Sequence, residues 1–324
     1  MDTEQVEGQH IAALKRTANK HCVTLAWPTV VLAGLTALGY FAVPLLAIGG
    51  SLSVVSASLL MAVVTYAAYT PLHEAVHGAV CGGRARFRWI NEMVGYLAAI
   101  VTGIPMTAHR HEHFAHHGET NRTGADPDLL CAGMTDNLRA LVVKPLSMIA
   151  NQYQFFVRER WARVSRRDRV VFLVETAAII GSRLFLLTLM LSGFGVGLAL
   201  PIWELTLTTV AVLVIGPAVG VIVLVYLFAY IVHRPHQIVG RFVDTSVFEA
   251  PVLLRSVLTW LWGFQNYHGV HHAFPRVPWY RYRALFEEQK AAILALGVPV
   301  YHLHNGHWVS INHKGDANAR YYIH

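Results

Sequence analysis

Nineteen histidines in 324 residues are unusual in number, and most stand in short groups whose spacing suits metal ligands. The first group is His73-Glu74-Ala75-Val76-His77. On a helix, residues i and i+4 share a face, so two imidazoles can converge on one ion. The pentapeptide by itself leaves the chemistry open. His-Glu-x-x-His is a zinc metalloprotease pattern, with Glu74 then acting as general base. Glu74 and His77 also spell Glu-x-x-His, the unit of carboxylate-bridged di-iron bundles.

The second group, His109 to His117, contains His-x-x-His-His at His113, His116 and His117, and the same triad returns at His268, His271 and His272. Two triads and the first pair make eight candidate ligands. A catalytic zinc takes three protein ligands, so eight imidazoles suit two metal ions better. Imidazole serves iron, copper, nickel and zinc alike, and ligand type does not choose among them. Histidines such as His10, His21 and His324 read as ordinary surface or satisfied core residues. So do His302, His304, His307 and His313, which lack the helical spacing. Cys22, Cys81 and Cys131 form neither a disulfide framework nor a CxxC site and read as free thiols.

The elements that carry these groups are set by hydropathy. The chain is 54% hydrophobic and 14% charged, with a mean hydropathy of +0.41. That excludes a disordered or fibrous chain and fits a soluble domain poorly, since soluble domains carry about 25% charged residues. Apolar runs at about 23–48, 52–72, 170–192 and 205–232 are each long enough to cross a bilayer core about 30 Å thick. The first two are joined only by Gly49, Gly50 and Ser51, and the last two by the uncharged stretch Gly193 to Pro201. Pro217, between Gly216 and Gly220, predicts a kink in the fourth span.

The hairpin tips carry no Lys or Arg, whereas the stretch from Arg158 to Arg169 is densely basic, so the positive-inside rule puts both termini and every histidine group in the cytoplasm. The polar first 20 residues read as a retained segment ahead of an anchor, not a signal peptide. The shorter apolar stretch from Ile90 to Ala108 reads as a re-entrant or interfacial hairpin. The expected fold is therefore a single all-α integral membrane domain over residues 1–324. Four transmembrane helices form two hairpins, and a cytoplasmic helical cap, 73–169 and 233–324, holds the histidine-rich site and lays amphipathic helices at the interface.

Ligands at the mouth of a four-helix membrane bundle meet lipidic substrates. With that placement, the pattern resembles the membrane fatty acid desaturase and hydroxylase superfamily, whose three boxes are His-x3-4-His, His-x2-3-His-His and His-x2-3-His-His. All three occur here in order. Asn266-Tyr267-His268-Gly269-Val270-His271-His272, the Pro-aromatic segment through Tyr280, and Asp126-Pro127-Asp128 extend the match over roughly His73 to Phe286.

The resemblance implies a di-iron, O2-dependent enzyme with His73, His77, His113, His116, His117, His268, His271 and His272 as iron ligands and His109 as a further candidate. An additional ligand is expected at the end of the last span. His233 fits by position, although Ala229 stands where the family has a water-holding Asn, and His236 competes for the role. Glu74, Glu112, Glu119, Asp126, Asp128 and Asn266 lie near enough to orient the imidazoles, and His111 sits off the ligand face.

The reaction expected is fatty acyl desaturation. Carotenoid hydroxylation or ketolation, alkane hydroxylation and alkene-forming fatty acid decarboxylation on the same site are the alternatives. Electrons must come from a separate donor of ferredoxin, rubredoxin or cytochrome b5 type with its reductase. The net charge of +7 is mostly juxtamembrane and argues for topology, anionic lipid and an acidic donor rather than nucleic acid. Remote readings are an intramembrane zinc protease on His73, Glu74 and His77, which leaves both triads unexplained, and a metal transporter, whose spans would carry ligands.

Overall fold

The computed structural model describes residues 3–193, 201–304 and 307–310. The connection 194–200 and the side chains of His10, His304, His307, His313 and His324 lie outside what is described. Among the described residues, four helices are long and apolar enough to cross a membrane: Trp27–Ile48, Val54–His77, Arg166–Ser192 and Ile202–His233.

After α1 (Thr3–His21), which packs on the C-terminal cap, α2 (Trp27–Ile48) and α3 (Val54–His77) make the first hairpin. Each has an inward face, and each also leaves large apolar side chains such as Leu35, Leu38, Val55, Leu59 and Val63 exposed, as a bilayer surround requires. Ser53 caps α3 by accepting the Ser56 N–H at 3.1 Å. The helix does not stop at Leu72, where hydropathy falls, but runs on to His77 and closes at Gly78 in the left-handed region (φ 69°). The first histidine pair is thus carried by the spanning helix itself.

α4 (Arg88–Thr102) and α5 (Met106–Glu119) are the hairpin expected near Ile90 to Ala108. At 15 residues, or about 22 Å, α4 is too short to cross the bilayer core, and it turns back at Gly103 against α2, α3 and α7. α6 (Leu138–Phe155) then leads to α7 (Arg166–Ser192), which Ser165 caps by accepting the Asp168 N–H at 3.1 Å.

The fourth span begins as α8 (Ile202–Val210), loosens into a π-turn at Ala211–Ile215 just ahead of Pro217, resumes as α9 (Gly216–Val225), and ends in π and 3-10 turns through His233. The winding thus changes beside Pro217, where the sequence predicts a kink. A Cβ on Gly216 would stand 2.5 Å from Ser58 O, and one on Gly220 would stand 2.4 Å from Ala62 O. Only glycine at both positions lets the span lie this close to α3, which draws His233 towards the histidine-bearing end of that helix.

The cap adds α10 (Val252–Leu261), α11 (His268–Ala273) and α12 (Tyr282–Ala295). One face of α10 exposes Leu253, Leu254, Val257, Trp260 and Leu261, the pattern of a helix lying in a membrane interface. The helical expectation missed a small sheet. β1 (Val247–Glu249) pairs parallel with β2 (Val300–His304), which pairs antiparallel with β3 (His307–Ser310). Strands this short have too little alternation to be visible in sequence. Cys22, Cys81 and Cys131 are unpaired.

Candidate metal centre

The end of α3, the length of α5, the last turn of the fourth span and α11 meet and, among the described residues, bring nine imidazoles together. His73, His77, His113, His117 and His271 form one group and His116, His233, His268 and His272 a second, with the potential ligand atoms of each group within 4.8 Å of one another. The two triads are used in opposite senses. α5 gives its i, i+4 pair His113 and His117 to the first group and His116 to the second. α11 gives its pair His268 and His272 to the second and His271 to the first. The groups abut where the rings of His117 and His272 stack, 4.1 Å between centroids.

The ring tautomers in the second group follow from their partners. His116 Nδ1 lies 2.8 Å from Asp126 Oδ1, His233 Nδ1 lies 2.7 Å from Ala229 O, and His268 Nδ1 lies 2.7 Å from Gln265 Oε1. A carboxylate and two amide oxygens can only accept, so each Nδ1 carries the proton and each Nε2 presents a lone pair. Yet His116 Nε2 faces His233 Nε2 at 3.1 Å, and His268 Nε2 is buried with no hydrogen-bond partner. Lone pairs at that distance repel unless a metal ion or a shared proton lies between them. In the first group, Nε2 of His117 stands 3.0 Å from that of His113 and 3.1 Å from that of His271. These separations match neighbouring nitrogens around an ion held at about 2.1 Å. The donor set and its unpartnered atoms therefore fit metal ions.

Burial, and after it the charge of neighbouring imidazoles, pushes His113, His117, His268, His271 and His272 well below the ordinary histidine range, which keeps them neutral and ready to donate. His116 differs. Burial acts to lower it, but the carboxylates of Asp128 and Asp126 outweigh that and leave it raised. Asp126 also accepts the Asn121 and Asp128 N–H groups at 2.7 and 2.8 Å, so it is firmly oriented. Beside it, burial and Glu112 hold Asp128 well above the usual carboxylate range, and burial lifts Glu112 to about 7.

Other sequence candidates stand elsewhere. His109 belongs to neither group: its Nδ1 meets Gln152 Oε1 at 3.1 Å, and burial lowers it to about 4. His236 also falls outside both groups, 5.3 Å from the Tyr230 ring, so of these two it is His233 that stands in a group. Ala229, in the position where an Asn was sought, contributes its carbonyl to His233. Glu74, read as orienting an imidazole, instead accepts from Thr29 Oγ1 at 2.8 Å and Trp279 N at 2.6 Å, pointing away from the histidines. Asn266 donates to Phe248 O at 2.9 Å and Thr259 Oγ1 at 3.3 Å, so it too secures the cap rather than a ring. His111 packs against Phe156, His21 pairs with Glu288 at 2.8 Å, and His302 with Glu249 at 2.6 Å. Three groups around the rings were missed: Gln265, Gln152 and Tyr282, whose hydroxyl lies 2.9 Å from His271 Nδ1. Gln265 precedes His268 by three residues, and that spacing was the available signal.

A cavity reaches both groups, touching His73 and His113 on one side and His116, His233 and His268 on the other. Ile104, Met148, Ile149, Leu224, Val225 and Phe228 add apolar wall, and Tyr69, His109, Asp128 and Gln152 add polar groups to it.

The family model described as fatty acid desaturase matches residues 50–304. Among curated proteins, no match is found.

Proposed function

Because the chain belongs to the fatty acid desaturase family, we propose that each histidine group holds one iron ion and that the protein is an O2-dependent oxidoreductase of lipids, desaturating a fatty acyl chain. The observation that carries the metal reading is the pair of lone-pair nitrogens, His116 Nε2 and His233 Nε2, facing each other at 3.1 Å with both Nδ1 atoms already committed. Iron with O2 supplies the oxidant that an unactivated methylene C–H bond demands.

The protein's own part is to hold, orient and exclude. Asp126, Ala229, Gln265 and Tyr282 fix the ring orientations. The side chains of Ile104, Met148, Ile149, Leu224, Val225 and Phe228 offer a hydrocarbon segment apolar contact beside the histidines. A second, lipid-facing crevice supports access from the bilayer. It is lined by Thr65, Thr102 and Val221, each within about one turn or a few residues of the cavity residues Tyr69, Ile104 and Leu224 on the same stretches of chain.

We place this mouth and both termini on the cytoplasmic side, following the basic stretch from Arg158 to Arg169. Electrons would come from a separate acidic donor of ferredoxin, rubredoxin or cytochrome b5 type, served by its reductase. The open cleft where His117 and His272 approach the surface between Arg122 and Arg241 is where we dock it. A zinc protease reading loses its general base, since Glu74 is engaged by Thr29 and Trp279.

Expression in a host of defined lipid composition, with iron analysis of the purified protein and mass spectrometry of lipids, tests the proposal. Two iron ions per chain and acyl products lighter by two hydrogens are expected. An added oxygen or a lost carbon would replace desaturation by hydroxylation or decarboxylation, and a single zinc without iron would overturn the reading.

A further inference from the structure

Two charged side chains of α7, away from the histidines, meet the turn between α4 and α5. Arg183 donates through Nη1 to Ile100 O at 2.9 Å and through Nη2 to Val101 O at 3.4 Å, the carbonyls left open where α4 ends. Glu175, two helical turns earlier, accepts the Thr107 N–H at 3.1 Å, one of the amides left open where α5 begins. A third group, Tyr153 of α6, donates to Gly103 O at 2.8 Å. Gly103 itself has φ 77°, and a Cβ there would stand 2.6 Å from Arg183 Nη2.

Each side chain has the polarity its helix end needs: a guanidinium donor at the C-terminus of α4 and a carboxyl acceptor at the N-terminus of α5. Ionisable residues inside a spanning helix are costly and persist where they have a task. Here the task is legible, because a backbone turn at membrane depth must have its polar groups satisfied by protein. The same turn sets where α5 begins. Three imidazoles on α5, His113 and His117 in one group and His116 in the other, move with it as a rigid unit, and metal ligand distances tolerate only about 0.2 Å.

We infer that Arg183 and Glu175 are positioning residues that clamp the α4–α5 turn against α7 and thereby register the α5 imidazoles of both histidine groups. The positioning role rests on the reading of those groups as metal sites. The clamp itself does not.

The test pairs a metal-independent readout with a metal one on the full-length protein. Arg183→Met and Glu175→Leu keep α7 apolar, while Arg183→Lys and Glu175→Gln retain part of each contact. Hydrogen exchange of segment 103–117 is followed in the metal-free protein, and cobalt(II) binding is followed by its visible absorption. Arg183→Met and Glu175→Leu are expected to speed exchange in that segment and to weaken cobalt binding by about tenfold or more with an altered spectrum, with recovery in the Lys and Gln variants. Unchanged exchange would overturn the clamp. Faster exchange with an unaltered cobalt spectrum and affinity would overturn the positioning role and leave only a structural tie. An unsubstituted protein that binds no pair of ions would overturn the metal reading and the positioning role together, while the exchange data still decide the clamp.

Discussion

Asp126 Oδ1 accepts the Nδ1–H of His116 at 2.8 Å, and the opposite nitrogen of that ring looks across 3.1 Å at His233 Nε2. The carboxylate thus fixes which nitrogen of His116 faces the second group. Asp126→Asn replaces it with a weaker acceptor that can also turn its NH2 towards the ring. Loss of such an outer partner usually lowers metal affinity about 10–100-fold. The second group should lose its ion while the first retains its own, so metal analysis of the purified variant should fall from two ions per chain towards one. Full occupancy with an unchanged affinity would contradict the assignment.

The parts of this arrangement that depend on periodicity could be seen in the sequence, and those that depend on long-range packing could not. His-x-x-His-His shows that His113, His116 and His117 share a broad helical face. It does not show that His116 turns to a different partner set from its neighbours, because that depends on where the fourth span and α11 arrive. Glu74 lies beside His73 in sequence, yet its carboxylate is claimed by Thr29 and Trp279, 45 and 205 residues away. Arg183 and Glu175 show no role in the sequence, because the carbonyls and amide they meet belong to another hairpin. The four spans were legible to within a few residues, except that α3 runs on to His77.

His271 and His272 are adjacent in sequence and belong to opposite groups. Alanine at 272 leaves three imidazoles in the second group, and alanine at 271 leaves four in the first. His272→Ala should therefore cost more metal than His271→Ala, and each should deplete a different ion. Mixed-metal loading followed by spectroscopy reads this directly, and identical spectra for the two variants would refute the partition.

Glu74→Gln tests a residue that a protease would need as its base. Here the change removes one of two buried hydrogen bonds joining α3 to Thr29 and to the backbone of Trp279. A cost of about 1–3 kcal/mol follows from leaving a buried polar group unpaired. Thermal midpoint should drop while metal content and turnover per folded molecule hold. Abolished turnover at unchanged stability would point the other way.

Gly220→Leu would drive a side chain into Ala62 O, where even a Cβ has only 2.4 Å. Overpacking a tight contact typically costs about 1–3 kcal/mol or more. Because the fourth span ends at His233, separating it from α3 should empty the second histidine group before the first. Metal analysis alongside thermal unfolding distinguishes this from a general loss of fold, in which both ions go together.

Acid should destabilise the metal-free protein through its buried histidines, among them two that lie outside both groups. Burial lowers His109 to about 4, and burial followed by the nearby Arg234 lowers His236 to about 4, against an ordinary 6.5. Above pH 6.5 each ring is neutral whether the chain is folded or not, and its contribution to stability is complete. Between pH 6.5 and about 4 the unfolded chain takes up a proton that the folded chain refuses, so stability falls as pH falls, by up to about 1.4 kcal/mol per pH unit for each ring. Below about 4 both states are protonated and the loss levels off. His236 has φ 65°, a left-handed backbone that Asn tolerates, so His236→Asn can remove one of these groups without new strain. Thermal midpoints of the detergent-solubilised, metal-free protein from pH 7 to 4 should decline less steeply in that variant, by up to one proton's worth of slope. Parallel curves would show that His236 titrates alike in the folded and unfolded chain.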